Sequence, residues 1–151
     1  MAGAREAATV PAVGIGQAAC VTAQAVADHY GIIGVLPADV YVTWQQTSRY
    51  NGGKLRAVRS LDIPVVEMAD ERRTAARLIE VAGELILEDR CDAVVLGCGA
   101  MPGVKAEIER RYGAPVIEPT PAAFCLIQSL IAMGLAQSRR SAPSPTVKHR
   151  T

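Results

Sequence analysis

The sequence predicts an α/β protein with a mainly parallel sheet and flanking helices. Two observations lead there. Short β-branched runs alternate with longer stretches of helical period, in the order β-α-β…β-α-β-α-β-α. The apolar stock is Val, Ile, Leu and Ala, with aromatics at only 4%, which suits strands buried on both faces between Ala-rich helices. With 151 residues, half of them apolar, the chain is long enough for about one domain with a core.

Residues 12–15 read as a first strand, and residues 17–30 as an Ala-rich helix closed by Gly31 at its C′ position. Residues 32–36 form the next strand, stopped by Pro37. The stretch 39–50 is ambiguous: Val40, Val42 and Thr43 disfavour a helix, but Asn51-Gly-Gly53 marks a clear end. Residues 55–61 carry no clear signal, and 63–68 read as a strand. The best helix is 71–89, where Ala75, Leu78, Ile79, Ala82, Leu85 and Ile86 share one face and Asp70 is placed to cap it. A buried strand at 93–97 follows, then a short helix at 104–112 ended by Gly113, a strand at 115–118, and an apolar helix from Pro121 to about Leu135 with Thr120 as cap. The polar, basic, Pro- and Ser-containing segment 137–151 is expected to be disordered.

Charge and cysteine usage exclude several functions. Sixteen Lys and Arg against fifteen Asp and Glu leave a net charge of +1, without the surplus of a nucleic-acid binder. No apolar run reaches the roughly 18 residues of a membrane helix. The N-terminus has no apolar signal-peptide core, so a cytoplasmic protein is expected. Cysteines 20, 91, 98 and 125 form no C-x-x-C, and His29 and His149 stand at no metal-ligand spacing from them. A metal site is therefore not expected.

The segments 10–20 and 114–125 echo one another: each enters a strand through Pro and turns into an Ala-rich helix ending in Cys. Shared α/β physics accounts for this as well as a true repeat does. If the repeat is real, Pro11 aligns with Pro115 and Met1 with Lys105, so the chain starts inside a helix. The counterpart of Cys98 then falls before Met1, and a missing strand leaves an apolar edge near residues 12–15 that invites self-association.

The sharpest local signal is Val94-Val-Leu-Gly-Cys-Gly-Ala-Met-Pro-Gly103. Here a buried strand ends on a cysteine between two glycines, and a helix starts a few residues on. Ligands of open parallel sheets bind beyond the carboxyl ends of strands, and a helix start offers N–H groups to an anion. Packing as a small buried apolar residue is the alternative for Cys98, and is the reading for Cys20, Cys91 and Cys125. His29 reads as a helix-end charge. Trp44 is either core or a pocket wall.

These motifs resemble the aspartate/glutamate/hydantoin racemase superfamily, most closely its hydantoin and allantoin racemase branch. The resemblance rests on Pro11-Ala-Val-Gly-Ile-Gly-Gln-Ala-Ala, Lys54-Leu-Arg-Ala-Val-Arg-Ser-Leu-Asp-Ile-Pro-Val, Asp92-Ala-Val-Val-Leu-Gly-Cys-Gly-Ala-Met and Ala114-Pro-Val-Ile-Glu-Pro. It implies two pseudo-symmetric α/β subdomains with one cysteine each, facing a substrate between them, and no cofactor or metal. On that pattern residues 1–30 are part of the first subdomain and 31–118 the second, while 119–136 form a helix packing back on the first. Cys98 becomes the second catalytic cysteine. Gly97, Gly99 and Ala100 supply backbone donors for enolate-like charge, and Gly16 and Gln17 line the same cleft.

The resemblance implies a racemase acting on a hydantoin-like or amino-acid-like small molecule, expected as a homo-oligomer. Two features depart from it. The first cysteine loop has no match, so the sequence reads as N-terminally truncated and racemisation as impaired. Pro37 and Ala38 follow the strand after which the branch often carries a substrate-binding Thr pair. Two other readings share the fold: a non-catalytic binding protein, or a cysteine-dependent decarboxylase or cis–trans isomerase.

Overall fold

The computed structural model describes residues 1–99, 101 and 103–143. Its elements in chain order are α1 (Ala2–Ala7), α2 (Ile15–Val26), β1 (Tyr30–Gly34), α3 (Pro37–Thr47), β2 (Leu55–Ser60), a 3₁₀ turn (Val65–Ala69), α4 (Glu71–Leu87), β3 (Ala93–Leu96), α5 (Lys105–Tyr112), β4 (Val116–Ile117) and α6 (Pro119–Ala132). The four strands form one parallel sheet in the order β2-β1-β3-β4, as expected for the α/β class.

Side chains alternate across the sheet, giving two apolar layers. Ile33, Val94, Leu96 and Val116 face α4 and α5, where Leu78, Val81, Leu85 and Ile108 meet them. Tyr30, Ile32, Ala93, Val95 and Ile117 face the opposite side and pack on Ala19, Cys20 and Ala23 of α2. Helix α6 lies against α2 on that side. Arg59 on edge strand β2 binds Glu84, Glu88 and Asp89 at 2.7, 2.8 and 2.6 Å, tying the edge to the end of α4.

Several elements match the sequence reading for the reasons given there. Asp70 accepts a hydrogen bond from the Arg73 N–H at 3.0 Å and caps α4. Gly113 ends α5 in the left-handed conformation. The turn at Asn51 carries two positive-φ glycines, and a Cβ on Gly52 would lie 2.0 Å from Gln24 Oε1. Helix α1 stands where the repeat alignment places a helix.

Other boundaries move. Residues 12–15 enter no ladder among the described residues, and Ile15 already opens α2. The carbonyl of Ala12 is instead bonded by Arg5 Nε at 3.1 Å. Helix α2 stops at Val26, where Lys54 Nζ binds the carbonyls of Gln24 and Ala27 at 3.0 Å each. Gly31 is therefore no helix cap but a strand residue, and a Cβ there would lie 2.7 Å from Leu85 Cδ2. Pro37 opens α3 rather than merely stopping a strand, and the Asp39 carboxylate accepts from the Leu36 N–H at 2.8 Å.

The 63–68 run is a turn followed by 3₁₀ helix, not a strand. Asp62 turns the chain at φ 56°, and the Glu67 N–H donates to the Pro64 carbonyl at 2.8 Å. Helix α6 starts at Pro119, with Glu118 rather than Thr120 at the N-cap position and no side-chain capping bond; Pro121 sits two residues inside, where its missing N–H costs no intrahelical bond. In the segment read as a tail, Arg139 binds the carbonyls of Glu6 and Ala8 and Ala142 is buried. Residues 144–151 lie outside the described residues.

Cys91, at the entry to β3, is buried against Leu85 in the core. Burial foremost, then the Asp89 carboxylate, pushes its thiol up to about 11. An unfolded thiol titrates near ~8.5, so the folded state holds this proton longer. The associated stability is intact below ~8.5 and is lost as pH rises toward about 11. Cys20 and Tyr30 are raised by burial in the same sense. Urea midpoints should fall over that range, and Cys91→Ala should flatten part of the fall. Identical pH slopes for the two proteins would assign the whole effect elsewhere.

Candidate active site

The strand order reverses direction between β1 and β3: the chain leaves β1 toward β2 on one side and returns to β3 on the other. At such a switch point the loops past the strands diverge and open a crevice. Two short segments border it. Gly34 ends β1 and Val35 follows it, and Gly97 and Cys98 follow β3, with Ile33 paired to Leu96 just below. The starts of α2, α3 and α6 surround the opening.

Gly97 holds the two loops together. Its N–H donates to the Ile33 carbonyl at 2.9 Å, and a Cβ on it would come within 2.5 Å of that same oxygen. Its N–H is therefore engaged, which corrects the expectation that it serves as a donor to substrate. The free donors are elsewhere. Helix α2 starts at Gly14 without a side-chain cap, so the N–H groups of its first turn, Ile15, Gly16 and Gln17, have no intrahelical acceptor.

Cys98 is half-buried. It lines a small cavity of about 40 Å³ with Leu96, Met101, Glu118 and Thr120. Gly99 packs close beside it: a Cβ there would lie 3.1 Å from Thr120 Oγ1. Leu96 and Pro119 also border a second cavity of about 280 Å³ between β1, α2 and α3. An outer cleft of about 760 Å³ carries Gly16, Gln17, Gln46, Arg49, Tyr50 and Gly97. Arg5 reaches Gln17 Oε1 at 2.6 Å across the start of α2.

The structure thus brings Gly16, Gln17 and Gly97 to one cleft, while Cys98 and Gly99 line the separate small cavity beside Leu96 and Pro119. Ala100 lies outside the described residues. Cys20 is buried in helix packing as expected, but it also floors the 280 Å³ cavity. Cys91 is core and Cys125 is exposed on α6. The His29 N–H is bonded to Asp92. Trp44 is 37% exposed on α3. Sequence reasoning missed Val42, Gln46 and Tyr50, because its reading of 39–50 was ambiguous. Among the described residues no group of three His, Cys, Asp or Glu is placed to hold a metal. No helix among them is long and apolar enough to cross a membrane.

An open parallel sheet with a crevice at its switch point is the α/β architecture in which ligands bind beyond the carboxyl ends of the strands. The chain belongs to the Asp/Glu/hydantoin racemase family, whose model matches residues 1–127. It is 33% identical over 138 residues to a hydantoin racemase of Rhizobium meliloti, covering 90% of this chain and 57% of that protein. Among solved structures it superposes on an allantoin racemase from Pseudomonas fluorescens with a TM-score of 0.91 and 27% identity, covering 99% of this chain and 65% of that one. The allantoin racemase of Klebsiella pneumoniae gives 0.90 and 31%, covering 99% and 62%. The chain therefore spans about three fifths of the length of these relatives.

Proposed function

We propose that this chain carries the second-subdomain half of a cofactor-independent racemase site for hydantoin-like substrates, with Cys98 as its acid/base. The observation that carries this is Cys98 between Gly97 and Gly99 past central strand β3, in a chain of this racemase family. The C5 hydrogen of a 5-substituted hydantoin is acidic because the neighbouring carbonyl accepts the electron pair. The Cys98 thiolate takes that proton; the pair of the C–H bond moves into an enolate. A proton added to the opposite face inverts the centre. Donors aimed at the enolate oxygen lower this barrier, and the free N–H groups of Gly16 and Gln17 border the cleft for that purpose. Gly97 and Gly99 shape the loop, and Ala100 belongs to it by position. In this reading residues 31–118 form the second subdomain, residues 1–30 contribute to the first, and α6 packs back on it through α2.

Incubation with an enantiopure 5-substituted hydantoin in D₂O tests the reading. In this reading these 151 residues offer Cys98 to one face of the substrate. They should therefore exchange the C5 proton slowly and racemise more weakly than a two-cysteine enzyme, by the contribution of one general acid, roughly 10²–10⁴-fold. Turnover of a malonate or maleate without C5 exchange would favour the decarboxylase or isomerase alternative instead. Mass-spectrometric mapping after brief alkylation should show Cys98 labelled ahead of the more exposed Cys125, with Cys20 and Cys91 spared. Cys125 labelled first would remove the case for an activated Cys98. A homo-oligomer belongs to the same proposal, since Phe124, Ile131 and Met133 are exposed on and just after α6 and apolar patches favour association. A monomer mass by light scattering at high concentration would exclude it.

A further inference from the structure

Helix α1 has six residues, none of them buried. A helix so short is not stable on propensity alone, so its position depends on contacts at its ends and along one side. At its start the Met1 side chain lies beside Gly14, with Cγ 3.6 Å from where a Gly14 Cβ would be. At its far end the carbonyls of Arg5 and Glu6, and that of the C-cap residue Ala8, have no helical N–H to pair with. Arg139, from the segment after α6, takes that role. Its guanidinium donates to Glu6 at 2.8 Å, to Arg5 at 3.3 Å and to Ala8. The turn that carries it is closed by the Ala142 N–H on the Ser138 carbonyl at 3.0 Å, and Ala142 is buried.

The side chain of Arg5 runs from α1 to the start of α2. It donates to the Ala12 carbonyl at 3.1 Å and to Gln17 Oε1 at 2.6 Å. A guanidinium carries N–H donors and no acceptor, so it selects the carboxamide orientation with Oε1 toward Arg5. The Gln17 Nε2 donors have no partner among the described residues, and Gln17 lines the 760 Å³ cleft. Among the described residues no carboxylate lines that cleft to compete for them.

We propose that Arg139 and Arg5 are positioning residues that hold the Gln17 carboxamide as a fixed hydrogen-bond donor to a carbonyl oxygen of the ligand; that the ligand is a hydantoin rests on the racemase reading above. A freely rotating carboxamide offers either its oxygen or its nitrogen. The locked one offers donors alone and is already ordered when the ligand arrives, which favours binding. A neutral hydrogen bond of this kind corresponds to about two- to tenfold in affinity.

The test uses 5,5-dimethylhydantoin, which keeps both ring carbonyls but has no C5 hydrogen, so its binding is read apart from turnover. Titration calorimetry should show it binding the unmodified chain. Gln17→Glu keeps an oxygen toward Arg5 as an ion pair but loses the donors. Its urea midpoint should hold or rise while probe affinity falls about two- to tenfold. Arg139 is exposed, so Arg139→Ala should lower probe affinity by a similar factor with little change in urea midpoint. Arg139→Lys should restore only part, since one ammonium does not span the carbonyls that the planar guanidinium reaches. In NMR spectra the Gln17 side-chain NH₂ pair should shift on probe addition, and that shift should shrink in Arg139→Ala; a merely structural role for Arg139 would leave it unchanged. No probe binding by the unmodified chain, full affinity in Gln17→Glu or in Arg139→Ala, or an NH₂ pair blind to the probe would overturn the assignment. Probe binding with the expected losses, but no C5 exchange of a 5-substituted hydantoin, would overturn the racemase reading and leave the Gln17 assignment standing. C5 exchange with probe affinity unmoved by both substitutions would do the reverse.

Discussion

Replacing Cys98 with serine should lower C5 proton exchange of a 5-substituted hydantoin by roughly 10²–10⁴-fold, down to the solvent background. A serine hydroxyl is far too weak an acid to form the needed base near neutral pH, whereas a thiol ionises near ~8.5 in the free residue. The substitution is small and Cys98 is half-buried at a strand end, so the melting temperature should barely move. That combination separates lost chemistry from lost structure. Cys125→Ser, on the exposed part of α6, should leave exchange unchanged. Exchange retained in Cys98→Ser would assign the base to another group and end the cysteine mechanism for this chain.

The parts of the fold legible in the sequence are those set by local chemistry. Helix α4 has a regular apolar face, an acidic first turn and a capping Asp70, and all three act within a few residues. Strand β3 is a continuous apolar run, and the Gly-flanked cysteine at its end follows from the parallel-sheet rule. The inner cavity was not legible. It depends on α3, whose Val40, Val42 and Thr43 argue against helix by propensity, while Pro37 at its start and the Asp39 contact with the Leu36 N–H favour one. Tertiary packing settled that conflict. Gly31 misled for a similar reason. Its role is the approach of Leu85 from α4, fifty-four residues away in sequence, and no local signal marks it. The β-branched run at residues 63–66 also reads as strand, but β2 is already an edge and Asp62 turns the chain away from the sheet.

The two glycines around Cys98 should respond very differently to alanine. At Gly97 the added Cβ would sit 2.5 Å from the Ile33 carbonyl oxygen and 3.3 Å from its carbon. Those are backbone atoms inside the ladder between β1 and β3, and Gly97 itself donates to that oxygen, so relief requires the central strands to part. Overpacking of this kind costs about 1–3 kcal/mol, and it falls on the residue directly before Cys98. Gly97→Ala should therefore lower the urea midpoint clearly and depress exchange even under conditions where the protein is folded. At Gly99 the nearest atom is Thr120 Oγ1 at 3.1 Å, the end of an exposed side chain that can rotate away. Gly99→Ala should change stability by no more than ~0.5 kcal/mol, the range of surface substitutions free of a named defect. Equal destabilisation by the two variants would mean that the close contact of Gly97 with β1 does not hold the cysteine loop in place.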